Sequence, residues 1–276
     1  WCEPGTAQCF RPRVNASYLT FGDLPVCNYT EDTPPELVIF WGHNPLTSGP
    51  DGEVGFSVRE GLTNRPKTIV VDPRKTWLAG KADLWLQLRP GTDDALALAM
   101  LNVVIGEGLH DEEFVRQWTH GFDALAERVR DCTPEWAAEI TWVPADKIRA
   151  AARLYGETRP SMMEWGCALE HTPNCIQTVR AVMMLPIVTG NIDVPGGWAF
   201  GMHALGKFPH LYEIMSDEQK AKRLGADKFK VLGAEGSTLP SAHIATIFKA
   251  MRTGDPYRIR AGLIFGNNAL ATYANS

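Results

Sequence analysis

Residues 37–45 read LVIFWGHNP. Five apolar residues, Leu37 to Trp41, run straight into Gly42 and a His-Asn-Pro turn. An apolar run of that length, ended by glycine, predicts a buried strand with a sharp turn behind it. Further on, TIVV at 68–71 is β-branched and stops at Asp72-Pro73, which predicts a second strand. Between them, EVGFSVREGL at 53–62 is long enough for a helix. Strand, helix, strand predicts a parallel sheet with a right-handed crossover.

Working outward, LWLQL at 84–88 predicts a third strand. Pro90-Gly91 then breaks the chain, Thr92 suits an N-cap, and Asp93-Asp94 place negative charge in the first turn of a long apolar helix. Further helices are expected at 111–118, 122–131 and 144–155. The turn Thr158-Arg159-Pro160 is the expected domain boundary. A second unit would follow, with a strand at 162–166 (MMEWG), a helix at 178–191 carrying Pro186, and a turn at 193–197. Residues 199–240 are glycine-rich, with a short charged helix near 216–224. A helix is expected at 241–252 and a strand at 262–265. That last strand runs into Gly266-Asn267-Asn268, so LIFGNNAL echoes VIFWGHNPL. The echo suggests two related α/β halves, each with a strand-end loop of the kind that binds ligands at the carboxyl edge of open sheets.

The 276 residues can bury a sizeable core, and no apolar run approaches the ~20 residues needed to cross a bilayer. Direct membrane insertion is therefore not expected. The net charge is −5 and no Lys/Arg stripe stands out, which argues against a nucleic-acid partner. The six cysteines contain no C-x-x-C pair, so zinc-ribbon and iron–sulfur spacings are absent. The first residues, Trp1-Cys2, carry no Met and no targeting signal, so compartment is left open and the chain reads as a fragment or processed product.

The loops hold the chemistry. Gly42 allows close approach to a ligand, and Asn44 can cap its turn or hydrogen-bond a phosphate or ribose. Asp72 at a strand end is placed to accept ribose hydroxyls, and Arg74 can pair with a phosphate. Taken alone, Asp72-Pro73-Arg74 reads more readily as a plain turn. Asp93 at a helix start is either a capping carboxylate or an acceptor for the N–H edge of a purine such as guanine. Cys9, followed by Arg11 and Arg13, sits among cations that favour the thiolate. His171 can donate to a ligand or cap a turn, and the glycines of 190–197 imply unusual backbone or a closely approached ligand.

Taken in order, Gly42-His43-Asn44-Pro45, Val71-Asp72-Pro73-Arg74, Arg89-Pro90-Gly91-Thr92-Asp93-Asp94, Gly166 with His171, and Thr189-Gly190-Asn191-Ile192-Asp193-Val194-Pro195-Gly196-Gly197 resemble the molybdopterin oxidoreductases. More narrowly, they resemble the dimethyl-sulfoxide-reductase family. The resemblance implies two doubly wound parallel-sheet α/β domains with dinucleotide-binding topology, related by a rough two-fold. Residues 1–158 would form the first and 159–276 part of the second. It also implies a molybdenum or tungsten bis(molybdopterin guanine dinucleotide) cofactor. Gly42, Asn44, Pro45, Asp72, Arg74, Gly91 and Asp93 would hold one dinucleotide. Gly166, His171, Gly190, Asn191, Gly266, Asn267 and Asn268 would approach the other. Cys9 is the candidate metal ligand and catalytic residue, with Cys2 the weaker one.

The implied reaction is two-electron redox, by oxygen-atom or hydrogen transfer, on a small substrate, with an electron-transfer subunit as partner. The family's [4Fe–4S] domain and closing β-barrel have no counterpart here. The chain is thus expected to be a central fragment, inactive alone and without bound cofactor. Three other readings stand beside this: a nicotinamide-dependent dehydrogenase, a non-catalytic dinucleotide-binding or subunit-interaction module, and a hydration reaction within the same family. The first needs a G-x-G-x-x-G fingerprint that the loop at Gly42 lacks.

Overall fold

The computed structural model describes residues 10–27, 29, 33–48, 53–201, 214–229, 242–264, 268 and 271. They fall into two compact units, one drawn from 10–201 and the other from 214–271.

The first unit is built on a parallel sheet. Strands β2 (Leu37–Trp41), β3 (Lys67–Val71), β4 (Leu84–Leu86) and β5 (Ser161–Trp165) lie in the order β4-β3-β2-β5. All five residues of β2 and of β5 are buried, as strands covered on both faces must be. The register is flush at the carboxyl edge: Trp41 pairs with Val71 on one side and Trp165 on the other, and Val71 pairs with Leu86. The chain steps outward from β2 to β3 to β4, then returns to lay β5 on the far side of β2. This reversal makes the gap between β2 and β5 the topological switch point, where open α/β sheets bind their ligands.

Helices cover the sheet. Ahead of it, α1 (Arg11–Phe21) leads into a short strand β1 (Pro25–Cys27). The β2–β3 crossover contains α2 (Pro45–Ser48) and α3 (Glu53–Thr63). After β4 come α4 (Asp93–Gly106), α5 (Glu112–Trp118), α6 (Phe122–Val129), α7 (Pro134–Thr141) and α8 (Ala145–Glu157). The central one, α4, is apolar after its first turn except for Asn102 and packs among α6, α7, α8 and α9 (Cys175–Val188). A last strand, β6 (Trp198–Phe200), pairs antiparallel with β1 as a separate two-stranded ribbon.

The division expected at 158 falls inside this unit. β5 hydrogen-bonds along β2, and α9 packs on α1 and α4, so residues 159–201 complete the first core rather than open a second. The short helix α7 and the helix α1 have no counterpart in the sequence-based expectation.

The described part of the second unit contains α10 (Asp217–Ala221), started by a Ser216–Gln219 capping box, and α11 (Ile244–Thr253), whose N-terminal Thr246 N–H is accepted by the His243 side chain. Residues 262–264 form no strand, and Leu263 and Ile264 are exposed. A strand needs a neighbour to pair its backbone, and none is present among the described residues.

Candidate functional site

The first residues beyond β2 and β5 are Gly42 and Gly166, and their backbones touch. A Cβ on Gly166 would lie 2.0 Å from the Gly42 carbonyl oxygen, and one on Gly42 would lie 2.8 Å from the Ala168 Cβ. Gly42 also has φ +57°, a left-handed conformation that side chains resist. Its N–H reaches the Val71 carbonyl at 2.9 Å, while the Gly166 N–H reaches that of Trp41 at 2.9 Å. The two glycines therefore extend the sheet's hydrogen bonding by one residue before the loops part. Gly166 thus stands beside Gly42 at one edge, and His171 follows the short turn Cys167–Glu170 that leaves it.

Other predicted residues converge on the same edge. Asp72 follows β3 and is buried; its Oδ1 accepts the Arg74 backbone N–H at 2.7 Å. The Arg74 guanidinium lies 3.6 Å from the same oxygen but is 75% exposed, so it is available to an anion. Asp93 opens α4 and accepts the Trp41 indole N–H at 2.9 Å through Oδ1. Burial pushes its carboxyl up to about 6, against the pull of that hydrogen bond. Gly91, just before it, has φ +82° and open space where a side chain would stand. Pro45 is buried at the start of α2. The Asn44 carbonyl accepts the N–H groups of Thr47 and Ser48, whereas its side-chain Oδ1 is buried without a partner. An acceptor in that state costs stability until a donor reaches it.

A buried polar cluster underlies this edge. Glu164, on β5, accepts the Tyr29 hydroxyl at 2.9 Å through Oε1, and its Oε2 lies 3.0 Å from His43 Nδ1. The Cys27 thiol donates to the Met163 carbonyl at 3.4 Å. Burial, reinforced by the Glu164 carboxylate, pushes both Cys27 and Tyr29 well up, so both keep their protons. Nearby, Arg13 of α1 donates to Glu170 Oε1 from Nη2 at 2.6 Å and from Nε at 2.9 Å, and stacks 5.2 Å from the Trp165 ring. Burial raises the Glu170 carboxyl more than Arg13 lowers it. Neither Glu164 nor Glu170 was singled out from sequence. The signal for Glu164 was present as one acid in the otherwise apolar strand SMMEW.

Gly190 and Asn191 lie at the opposite, amino edge. The Asn191 side chain accepts the Ser161 N–H, at the start of β5, at 2.8 Å and donates to Thr189 Oγ1 at 2.8 Å. Gly190 packs against Asp111. Their geometry is that of a structural brace. An open concavity of about 700 Å³ beyond the carboxyl end of α4, lined by His110, Arg116 and His120 among others, contains none of the predicted site residues. Cys9, Gly266 and Asn267 lie outside the described residues. Asn268 accepts the Ala271 N–H at 2.9 Å. Among the described residues no three His, Cys, Asp or Glu side chains gather as a metal site. No helix among them is long and apolar enough to cross a membrane.

The sequence model of the molybdopterin oxidoreductase family matches residues 28–252. Acetylene hydratase of Syntrophotalea acetylenica is 34% identical over 232 residues, covering 76% of this chain and 32% of that protein. Formate dehydrogenase H of Escherichia coli K12 is 38% identical over 185 residues, covering 67% of this chain and 26% of that protein. Among solved structures, acetylene hydratase from Pelobacter acetylenicus superposes with a TM-score of 0.80 at 28% identity, over 92% of this chain and 37% of that one. The chain thus spans about a third or less of the length of these relatives.

Proposed function

The chain belongs to the molybdopterin oxidoreductases, of the dimethyl-sulfoxide-reductase kind, and from that membership we propose that the carboxyl edge of its sheet holds one guanine dinucleotide of a molybdenum or tungsten bis(molybdopterin guanine dinucleotide) cofactor. The observation that carries this reading is the switch point itself. The strand order reverses between β2 and β5, and the loops at that edge bring Gly42, Asn44, Asp72, Arg74, Gly91 and Asp93 to one side of the sheet. The residues fit such a group. The unpartnered Asn44 Oδ1 seeks a donor, and the open space at Gly91 admits a ring or phosphate close to the backbone.

In this reading Asp72 accepts a ribose hydroxyl and the exposed Arg74 pairs with a phosphate. Asp93 accepts the N–H groups of guanine, which would offset the cost of its buried charge. Gly166 gives the loop after β5 room to pass, and His171, exposed at the end of the Cys167–Glu170 turn, lies at its rim. Cys9 would ligate the metal. It stands two residues before α1 in the sequence, and Arg13 of that helix is anchored to the loop after β5. The second dinucleotide would rest against Gly266, Asn267 and Asn268, in a half related to the first by a rough two-fold.

When bound, the cofactor supplies a metal centre that accepts or gives two electrons. The chain's residues position it and exclude water from the buried side. The whole protein would then act on a small substrate and pass electrons to a partner subunit. A hydration reaction is a second reading, favoured by one observation: both the sequence and the structural likeness include proteins named acetylene hydratase.

Titration calorimetry with GDP on the 276-residue chain and on its Asp93→Asn variant tests the reading. Binding should weaken about tenfold in the variant, the worth of one hydrogen bond to a charged acceptor. Equal affinity for both proteins would refute it.

A further inference from the structure

Glu164 is 4% exposed in a strand whose other residues are apolar or small. A buried carboxylate is costly unless donors fill its lone pairs. Here Tyr29 fills one oxygen at 2.9 Å, and Nδ1 of His43 lies 3.0 Å from the other. The Cys27 thiol, which keeps its proton, lies beside the same carboxylate. His43 follows Gly42, so its backbone is fixed at the switch point, and its side chain is 22% exposed. An untethered histidine samples both tautomers. One whose Nδ1 is tied to a buried carboxylate has Nε2 as its only free nitrogen, with negative charge behind the ring.

We propose that Glu164 is a positioning residue: it holds His43 with a proton on Nδ1, so that Nε2 is presented at the β2–β5 switch point to a phosphate of a bound guanine nucleotide. This rests on the dinucleotide reading above. When the phosphate binds, the ring takes up a second proton from solvent, so Nε2 donates to a phosphate oxygen while Nδ1 donates to Glu164. The carboxylate supports the cationic ring that an anionic ligand favours. The role belongs to this chain's own side chains. It needs an acid on β5 and a histidine between Gly42 and Asn44, and both are present.

The experiment is ¹⁵N NMR of the imidazole nitrogens of the 276-residue chain, with titration of GDP, pyrophosphate and guanosine as separate probes. His43 should carry its proton on Nδ1 in the free chain. GDP and pyrophosphate should move Nε2 to its protonated signature, and guanosine should not. Glu164→Gln keeps an acceptor but loses the charge, and should bind GDP about tenfold more weakly. Tyr29→Phe, which removes the donor on the other oxygen but leaves the carboxyl group, reports general damage to the cluster and should lower GDP affinity less than Glu164→Gln does. Unchanged GDP affinity in Glu164→Gln, or a free chain with the proton on Nε2, overturns the proposal. So does loss of GDP binding in Tyr29→Phe equal to that in Glu164→Gln. The two possible failures are distinguishable. A pinned Nδ1 proton without GDP binding faults the dinucleotide reading and ends the phosphate role with it. Mixed tautomers with Asp93-dependent GDP binding fault this inference alone.

Discussion

A Cβ on Gly166 would stand 2.0 Å from the carbonyl oxygen of Gly42, with no flexible side chain there to yield. Gly166→Ala must therefore push β2 and β5 apart at the switch point. It is expected to cost about 3 kcal/mol, measured by urea unfolding. Gly91→Ala meets open space and pays only for its φ of +82°, about 1 kcal/mol. The second variant should nonetheless lose GDP affinity, because its methyl group enters the space proposed for the nucleotide.

Asp93 gives a pH dependence whose sign can be worked out. Its folded value, about 6, lies above the ordinary aspartate value near 4. The folded state therefore holds the proton more tightly. The resulting stability is fully present below about pH 4 and is lost as pH rises through about 6. Asp93→Asn should remove this slope and leave the chain more stable at pH 7.5, by roughly 1–3 kcal/mol. Denaturant midpoints at pH 4.5 and 7.5 check it. GDP, which offers donors to the ionised form, should bind wild type more tightly as pH rises past 6.

The Arg13–Glu170 pair predicts a rescue. Arg13→Met leaves the buried Glu170 carboxylate without its partner and should cost about 3–5 kcal/mol at pH 7.5. Burial already raises the Glu170 carboxyl above its usual range, and loss of Arg13 raises it further. The penalty should therefore shrink as pH falls toward 4 and the carboxyl takes up its proton. Arg13→Met combined with Glu170→Gln should recover most of the loss at pH 7.5.

Asn191 separates bracing from binding. It joins the end of α9 to the first residue of β5 through two side-chain hydrogen bonds of 2.8 Å. Asn191→Ala is expected to destabilise the chain by about 2–3 kcal/mol. GDP affinity, measured where the variant is folded, should not change. A loss of affinity without a loss of stability would return Asn191 to the cofactor-binding set.

The elements whose physics is local were legible. Leu37–Trp41 reads as a buried strand because all five side chains are apolar, and α4 reads as a helix because Pro90-Gly91 breaks the chain and two aspartates fill its first turn. What depends on distant partners was not. Nothing in SMMEW says that it pairs with β2, so residues beyond 158 were assigned to another domain. The TGN stretch looked like a ligand loop because its glycines and asparagine are the same residue types that a brace requires. Helix α1 buries Arg11, Asn15 and Ser17 and shows no clear apolar stripe, so periodicity could not find it. In the site, Gly42, Asn44, Asp72, Arg74 and Asp93 were legible as strand-end and helix-start residues. The Glu164–His43 and Arg13–Glu170 pairs join positions more than a hundred residues apart, and only the fold brings them together.

The ribbon of β1 and β6 joins Pro25–Cys27 to Trp198–Phe200, the longest span in sequence between any two paired strands described. Closing a loop of that length must be paid for in entropy before the contact returns anything. The sheet, whose strands β2, β3 and β4 are neighbours in sequence as well as in space, can assemble first. A ribbon that closes after the sheet is in place would act as a clasp, slowing the unit's opening more than it changes the speed of its formation.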